Sequence, residues 1–220
     1  MDLAHLCIAV VPLAAHLLML AMLNLSRRPH VVSGSRNIVS LALAVSGFVI
    51  AGPMDLLLPD DAVRRFGPMI WPMLICFYIL CLTLVLLISR PYLIIYGMVL
   101  SELKPILEQV VTKIDSESRW AGESANLPQL RLQFHCDDVH SLKNVTLVPI
   151  GNQQSYVGWR RLQVELNTAL RSQRVSRNLY GFVFLLVGIV LLAFPLTLAK
   201  LNAPAVVEQL RDLLRLSSLS

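Results

Sequence analysis

The sequence predicts a mainly α membrane protein in which four transmembrane helices carry one small water-facing α+β domain of helix, strand, strand and helix. Three observations predict it. Of the 220 residues, 55% are hydrophobic and 15% charged, and a mean hydropathy of +0.64 is too high for a soluble domain of this size, so the surplus has to meet lipid. Four apolar runs approach the roughly 20 residues that a helix needs to cross a hydrocarbon core of about 30 Å with its backbone bonded internally. Between the third and fourth runs, residues 101–178 switch to amphipathic and alternating patterns.

The first run, residues 3–25, starts Met1-Asp2 without a basic segment and is followed by Arg27 and Arg28, which reads as an uncleaved anchor rather than a signal peptide. The second covers about 38–58 and is interrupted at its far end by Pro53 and Asp55; without it the count falls to three. The third and fourth are residues 66–89 and 179–199. Pro53, Pro72 and Pro195 predict kinks or helix ends, and Gly181 and Gly188, one heptad apart, predict a smooth strip for close helix packing.

Charge orients these spans. The link after span one carries Arg27, Arg28 and Arg36 with no acid, whereas the next link sets Asp55, Asp60 and Asp61 against Arg64 and Arg65. Arg90 after span three and Arg171, Arg174 and Arg177 before span four place the polar segment on the same inner side as the first link, with both termini outside. Lys200 and Arg211 on the outer side soften that contrast. The sequons Asn24-Leu25-Ser26 and Asn144-Val145-Thr146 then fall at or on the inner side and read as chance matches. The expected location is a bacterial cytoplasmic membrane. A formal charge of +5 concentrated at span ends points to topology and not to nucleic acid.

Within 101–178, Leu103, Ile106, Leu107, Val110, Val111 and Ile114 recur at helical spacing, and Pro105, tolerable in a first turn, sets the start near Ser101. Residues 115–126, with Gly122, Ser124 and Asn126, read as loop. Leu130, Leu132, Phe134 and Cys136 alternate with polar residues as in a half-buried strand, and Val145, Leu147 and Pro149 suggest a second. Trp159, Leu162, Leu166, Ala169 and Leu170 return to helical spacing, although Leu162, Val164 and Leu166 also alternate. A core this small is expected to lean on the membrane, a second copy or a partner. Beyond span four, residues 200–220 form an amphipathic tail with Val206, Val207, Leu210, Leu213 and Leu214 on one face, suited to the outer interface or to the protein's own outer loops.

Candidate site residues are those costly to keep in a membrane. His16 lies about 18 Å below the outer surface at the helical rise, and counting along the neighbouring spans puts Ser46 and Tyr78 at a similar depth. This layer, with His16 bonded to a hydroxyl, is either an interhelical tie or a proton or substrate path. His5 and Asp55 form a second candidate pair at the outer interface. His5 and His16 stand near one face of the helix, yet no other span offers an opposing histidine for haem. Arg160, Arg161, Arg171, Arg174 and Arg177 are candidate contacts for lipid head groups.

His135-Cys136-Asp137-Asp138 with His140 has the residue types of a metal site, but its spacing matches no zinc pattern and alternation sends His135 and Cys136 to opposite strand faces. Cys7, Cys76 and Cys81 lie in apolar runs, which suggests no disulfide framework. Neither a phosphate-binding glycine loop, a nucleophile elbow nor an HExxH helix occurs. No catalytic, cofactor-binding or metal-ligating residue is therefore assigned, and no cofactor is expected. The leading expectation is a non-enzymatic scaffold, subunit or sensor-like membrane component whose cytoplasmic domain meets a protein partner or forms a homo-oligomer. The alternatives are a small transporter or proton-conducting channel centred on His16, and a membrane-embedded enzyme using His5, Asp55 and His16.

Overall fold

The structure is a computed structural model, and it describes residues 3–51, 69–139, 142–152 and 154–213. The protein is mainly helical and contains a six-stranded antiparallel sheet. In chain order the elements are α1 (Leu3–Leu25), β1 (His30–Ser33), α2 (Gly34–Val49), α3 (Ile70–Ile88), β2 (Leu93–Tyr96), α4 (Leu100–Ile114), β3 (Arg119–Ala121), β4 (Ser124–Leu127), β5 (Leu132–Val139), β6 (Asn144–Pro149), α5 (Tyr156–Leu170), α6 (Tyr180–Leu201) and α7 (Ala203–Leu213). Two compact units result, one of Met1–Met19, Val39–Ile88 and Phe184–Ser220, the other of Leu20–Ile38 and Ser89–Val183.

In the first unit α1, α3 and α6 are strongly apolar, whereas α7 is amphipathic. Among the described residues, α1 and α6 are long and apolar enough to cross a membrane, whereas α2 and α3 are apolar over the shorter stretches Gly34–Val49 and Pro72–Ile88. The expected bounds of the first and fourth runs agree closely with α1 and α6. The second run starts earlier than expected, because Gly34 follows β1 directly, and its expected far end with Pro53 and Asp55 lies outside the described residues. Large apolar side chains such as Phe77, Leu80, Leu84, Leu186 and Val190 stand exposed on these helices.

Close helix contacts are made where side chains are missing. Pro12, inside α1, has no N–H for the Ile8 carbonyl, and Gly47 of α2 lies so near that a Cβ there would overlap the Ile8 oxygen. Gly188 meets Leu18 of α1, where a Cβ would come within 3.0 Å of the Leu18 side chain. The Gly181 and Gly188 strip thus faces Leu25 and Leu18, which share its heptad spacing.

The second unit is a layer of two helices on one sheet face. Its strand order is β1-β2-β6-β5-β4-β3, with every neighbouring pair antiparallel. Alternation sends Leu132, Phe134 and Cys136 of β5, Val145 and Leu147 of β6, and Leu93 and Ile95 of β2 to one face. There they meet Leu103, Leu107, Val111 and Ile114 of α4 and Trp159, Leu162, Leu166 and Leu170 of α5 in a continuous core. Phe134 joins it edge-on to Trp120 and tilted against Trp159, with ring centroids 6.1 and 6.0 Å apart.

Local signals account for the helix ends. Ser155 caps α5 by accepting from the Gly158 N–H at 3.2 Å, and Gly158 lets the helix approach the Leu130 carbonyl at a distance that a Cβ would fill. Helix α4 begins at Leu100, so Pro105 falls in its second turn and not its first. Pro105 is exposed, and the Ser101 carbonyl deprived of its N–H donor is on the water side, where hydration offsets the loss.

The helix-strand-strand-helix expectation is corrected to six strands and two covering helices. Residues 119–126, within the stretch read as loop, fall in the β3–β4 hairpin around Gly122, whose φ is +64°. Strands β1 and β2 come from outside 101–178. Their residues, His-Val-Val-Ser and Leu-Ile-Ile-Tyr, are too short and too close to apolar runs to show a period of their own. A two-stranded sheet would have left both edges of the β5–β6 pair unpaired, and the extra strands remove that cost. The alternating Leu162, Val164 and Leu166 belong to helix α5.

Candidate functional site

Three places hold polar groups against apolar surroundings. The first is within the apolar helices, where His16 Nδ1 lies 2.9 Å from Ser40 Oγ of α2. The expected kind of partner, a hydroxyl, is present, but it is Ser40 and not Ser46. Ser46 Oγ donates instead to the Leu43 carbonyl in its own helix at 2.8 Å, and the Tyr78 hydroxyl donates to the Ala42 carbonyl at 2.7 Å. The three residues expected to share one layer are therefore bonded separately. His5 is half-buried in the first turn of α1, and Asp55 lies outside the described residues.

The second place is the sheet face that α4 and α5 leave uncovered. Ser124 of β4 and His135 of β5 are cross-strand partners, with Oγ 3.1 Å from Nδ1, and Asp137 follows on the same face two residues along β5. Nucleophile and base are within reach, yet among the described residues no carboxylate holds the other ring nitrogen, which is the group that would orient a catalytic histidine. An open depression of about 320 Å³ nearby is lined by Arg119, Ser124, Asn126, Gln133 and Ile150. Cys136 points into the core on the opposite side, where burial, then the nearby Glu123 charge, push its thiol up to about 12 against a smaller lowering by Lys104. His135 and Cys136 thus diverge, His140 lies outside the described residues, and among the described residues no group of three His, Cys, Asp or Glu could hold a metal ion.

The third place is where α1 ends and α6 begins, and it was not foreseen. Asn24 and Asn178 are both buried, at 2% and 3% exposure, which for amides requires that their bonds be made inside the protein. Asn178 Nδ2 donates to Leu142 O at 2.6 Å and to Asn24 Oδ1 at 3.3 Å, while its Oδ1 accepts from the Tyr180 N–H at 3.1 Å and so caps α6. Asn24 Nδ2 turns back to Leu20 O at 2.9 Å. The backbones pair as well, Asn178 N to Asn24 O and Val175 N to Arg27 O at 3.1 and 2.9 Å, and Gly181 admits Leu25 at a distance no side chain would allow. The asparagine of the first sequon is thus a buried amide that donates to Leu20 O and accepts from Asn178. Asn178, immediately ahead of the apolar run that starts at residue 179, carried a helix-start signal in the sequence; Asn24 carried none, because its partner lies 154 positions away.

Of the expected head-group contacts, all five side chains are exposed. Arg160 and Arg161 lie near the start of α5, about 15 Å along its axis from Arg171 at the helical rise, so the five do not form one cluster. Buried Asp115 closes α4 by accepting from the Glu117 and Gln129 N–H groups at 3.0 and 2.9 Å. No protein-family model, no curated protein and no solved structure matches the chain.

Proposed function

We propose that the chain is an integral membrane protein of four spans whose water-facing α+β unit serves as a non-enzymatic scaffold, subunit or sensor-like component and meets a protein partner or a second copy. The observation that carries this reading is that one sheet collects strands from three separate parts of the chain: β1 between α1 and α2, β2 after α3, and β3 to β6 before α6. One sheet occupies one side of any membrane, so the chain between β1 and β2 must cross it an even number of times. The apolar helices α2 and α3 supply two such crossings, and α1 and α6 lead into and away from the same unit. Only 17% and 11% of the apolar windows of α1 and α6 are buried in protein, which supports lipid rather than a folded core as their solvent.

This connectivity suits mechanical or regulatory coupling. Each of the four helices has an end within about ten residues of the unit, so a partner that shifts the unit loads all four. The uncovered sheet face, where Val148 and Ile150 are 38% and 41% exposed beside Gln133 and Asp137, is the surface we assign to the partner. With Arg27, Arg28 and Arg36 on the inner side, the unit is cytoplasmic, both termini are outside, and the location is a bacterial cytoplasmic membrane.

Photo-crosslinkers placed at Gln133 and Val148 of the full chain in its native membrane test the reading. Crosslinks to a defined protein or to a second copy are expected; a purified monomer that crosslinks to nothing and turns over a substrate would overturn it. The transporter or proton-channel alternative rests on the His16–Ser40 bond, but Ser46 and Tyr78 commit their hydrogens to backbone carbonyls and do not extend it into a relay. Vesicles containing wild-type protein and the His16→Ala variant decide that point, since the alternative requires a flux and its loss in the variant.

A further inference from the structure

The junction of α1 and α6 gathers cations from three parts of the chain. The bond from Val175 N to Arg27 O sets residues 174–178 against residues 24–27 in opposite directions, which places Arg174 and Arg177 alongside Arg27 and Arg28. Lys143 reaches the same segment through Ser176, Nζ to Oγ at 2.7 Å, beside the Leu142 carbonyl that Asn178 holds. All four arginines are exposed, and no acidic residue occurs within residues 24–30, 142–143 or 174–180. Val175 takes the inward position, packed on the core and against Gly97, so its arginine-bearing neighbour is turned outward. The buried Asn24–Asn178 pair and the two backbone bonds beside it tie together the segments that carry Arg27, Arg28, Arg174 and Arg177.

We propose that this junction binds the phosphate of an anionic phospholipid through Arg27, Arg28, Arg174 and Arg177, with Lys143 at its edge. The inference rests on the membrane reading above. Guanidinium groups present paired donors matched to phosphate oxygens, and the positive end of α6 starts at the same point. Lipid is favoured over free phosphate because the cations flank the last turn of one apolar helix and the first of another, at the depth where a head group adjoins hydrocarbon. Ordinary flanking charge needs only positive residues near each span; here a specific tertiary clamp brings two flanks together.

Native mass spectrometry of the full chain in detergent, titrated with phosphatidylglycerol, phosphatidylcholine or inorganic phosphate, tests the proposal. Phosphatidylglycerol should be retained in preference to phosphatidylcholine, and the triple variant R27Q/R174Q/R177Q should lose on the order of a hundredfold in affinity. The R131Q variant, which removes an exposed arginine outside the junction, should bind as wild type does. Equal binding of both lipids, or unchanged binding in the triple variant, overturns it; inorganic phosphate competing at equal concentration would assign the site to a soluble anion instead. Should the triple variant fail to fold, the wild-type salt dependence decides, with selectivity for phosphatidylglycerol that survives about 1 M salt counting against the site. Extraction of membranes with alkaline carbonate separates the two readings, since a chain released by it fails the membrane reading regardless of lipid binding.

Discussion

Asn178 makes five hydrogen bonds from a buried site, three of them through its side chain, so removal of that side chain strands the partners it leaves behind. Asn178→Ala should lower the stability of the detergent-solubilised protein by about 1–3 kcal/mol through the buried Asn24 and Leu142 oxygens alone. A thermal-unfolding midpoint equal to that of the wild type would show the clamp to be dispensable. Cys136 makes a pH prediction. Its proton is held more tightly in the folded unit than in the unfolded chain, from an ordinary value of 9.0 up to about 12. Its contribution is therefore complete below pH 9 and declines as pH rises toward 12. Tyr96, raised by burial and then by Tyr92, adds a loss of the same sign starting from 10.0. Denaturant titrations should show stability falling above pH 9, and the Cys136→Ala variant should postpone the onset to the tyrosine range; an unchanged onset would mean that the thiol is not responsible. The neutrality of Cys136 was legible in its alternating strand position, whereas the Asn24 pairing was not, because a single asparagine in a chain gives no sign of a partner across the fold.

Two element contacts depend on the absence of a Cβ. Gly158 holds α5 on the sheet, and an added Cβ would come 2.8 Å from the Leu130 carbonyl oxygen. Gly158→Val should cost about 1–3 kcal/mol, read as a lowered midpoint of tryptophan fluorescence on unfolding, since Trp159 is the next residue. In the apolar unit, Gly47→Leu should separate α2 from α1, because the obstacle is the Ile8 backbone and cannot rotate aside. Size-exclusion chromatography in mild detergent should show aggregation or loss of the monodisperse species, and an unaltered profile would place the two helices apart in solution. Helices α1, α4, α5 and α6 were legible from apolar period, length and caps. The short strands were not, since a four-residue strand acquires its identity from the neighbours that bond it.

For the molecule as a whole, the shared sheet makes a topological prediction. Cysteines introduced as Ser35→Cys, Glu117→Cys and Asn152→Cys should react with an impermeant maleimide from the same side of intact membranes, and Ala205→Cys from the other. Labelling of position 35 on the side opposite to 117 would separate β1 from the rest of its sheet and end the four-span reading. By itself the sequence determined that long apolar helices flank an amphipathic stretch, because hydropathy and period are properties of contiguous residues. The tertiary structure alone decided that β1 and β2 complete the sheet, that His16 meets Ser40, and that the ends of α1 and α6 are fastened by two buried amides. Each of those depends on a hydrogen bond between residues far apart in the chain, and such a bond leaves no trace in the pattern around either one.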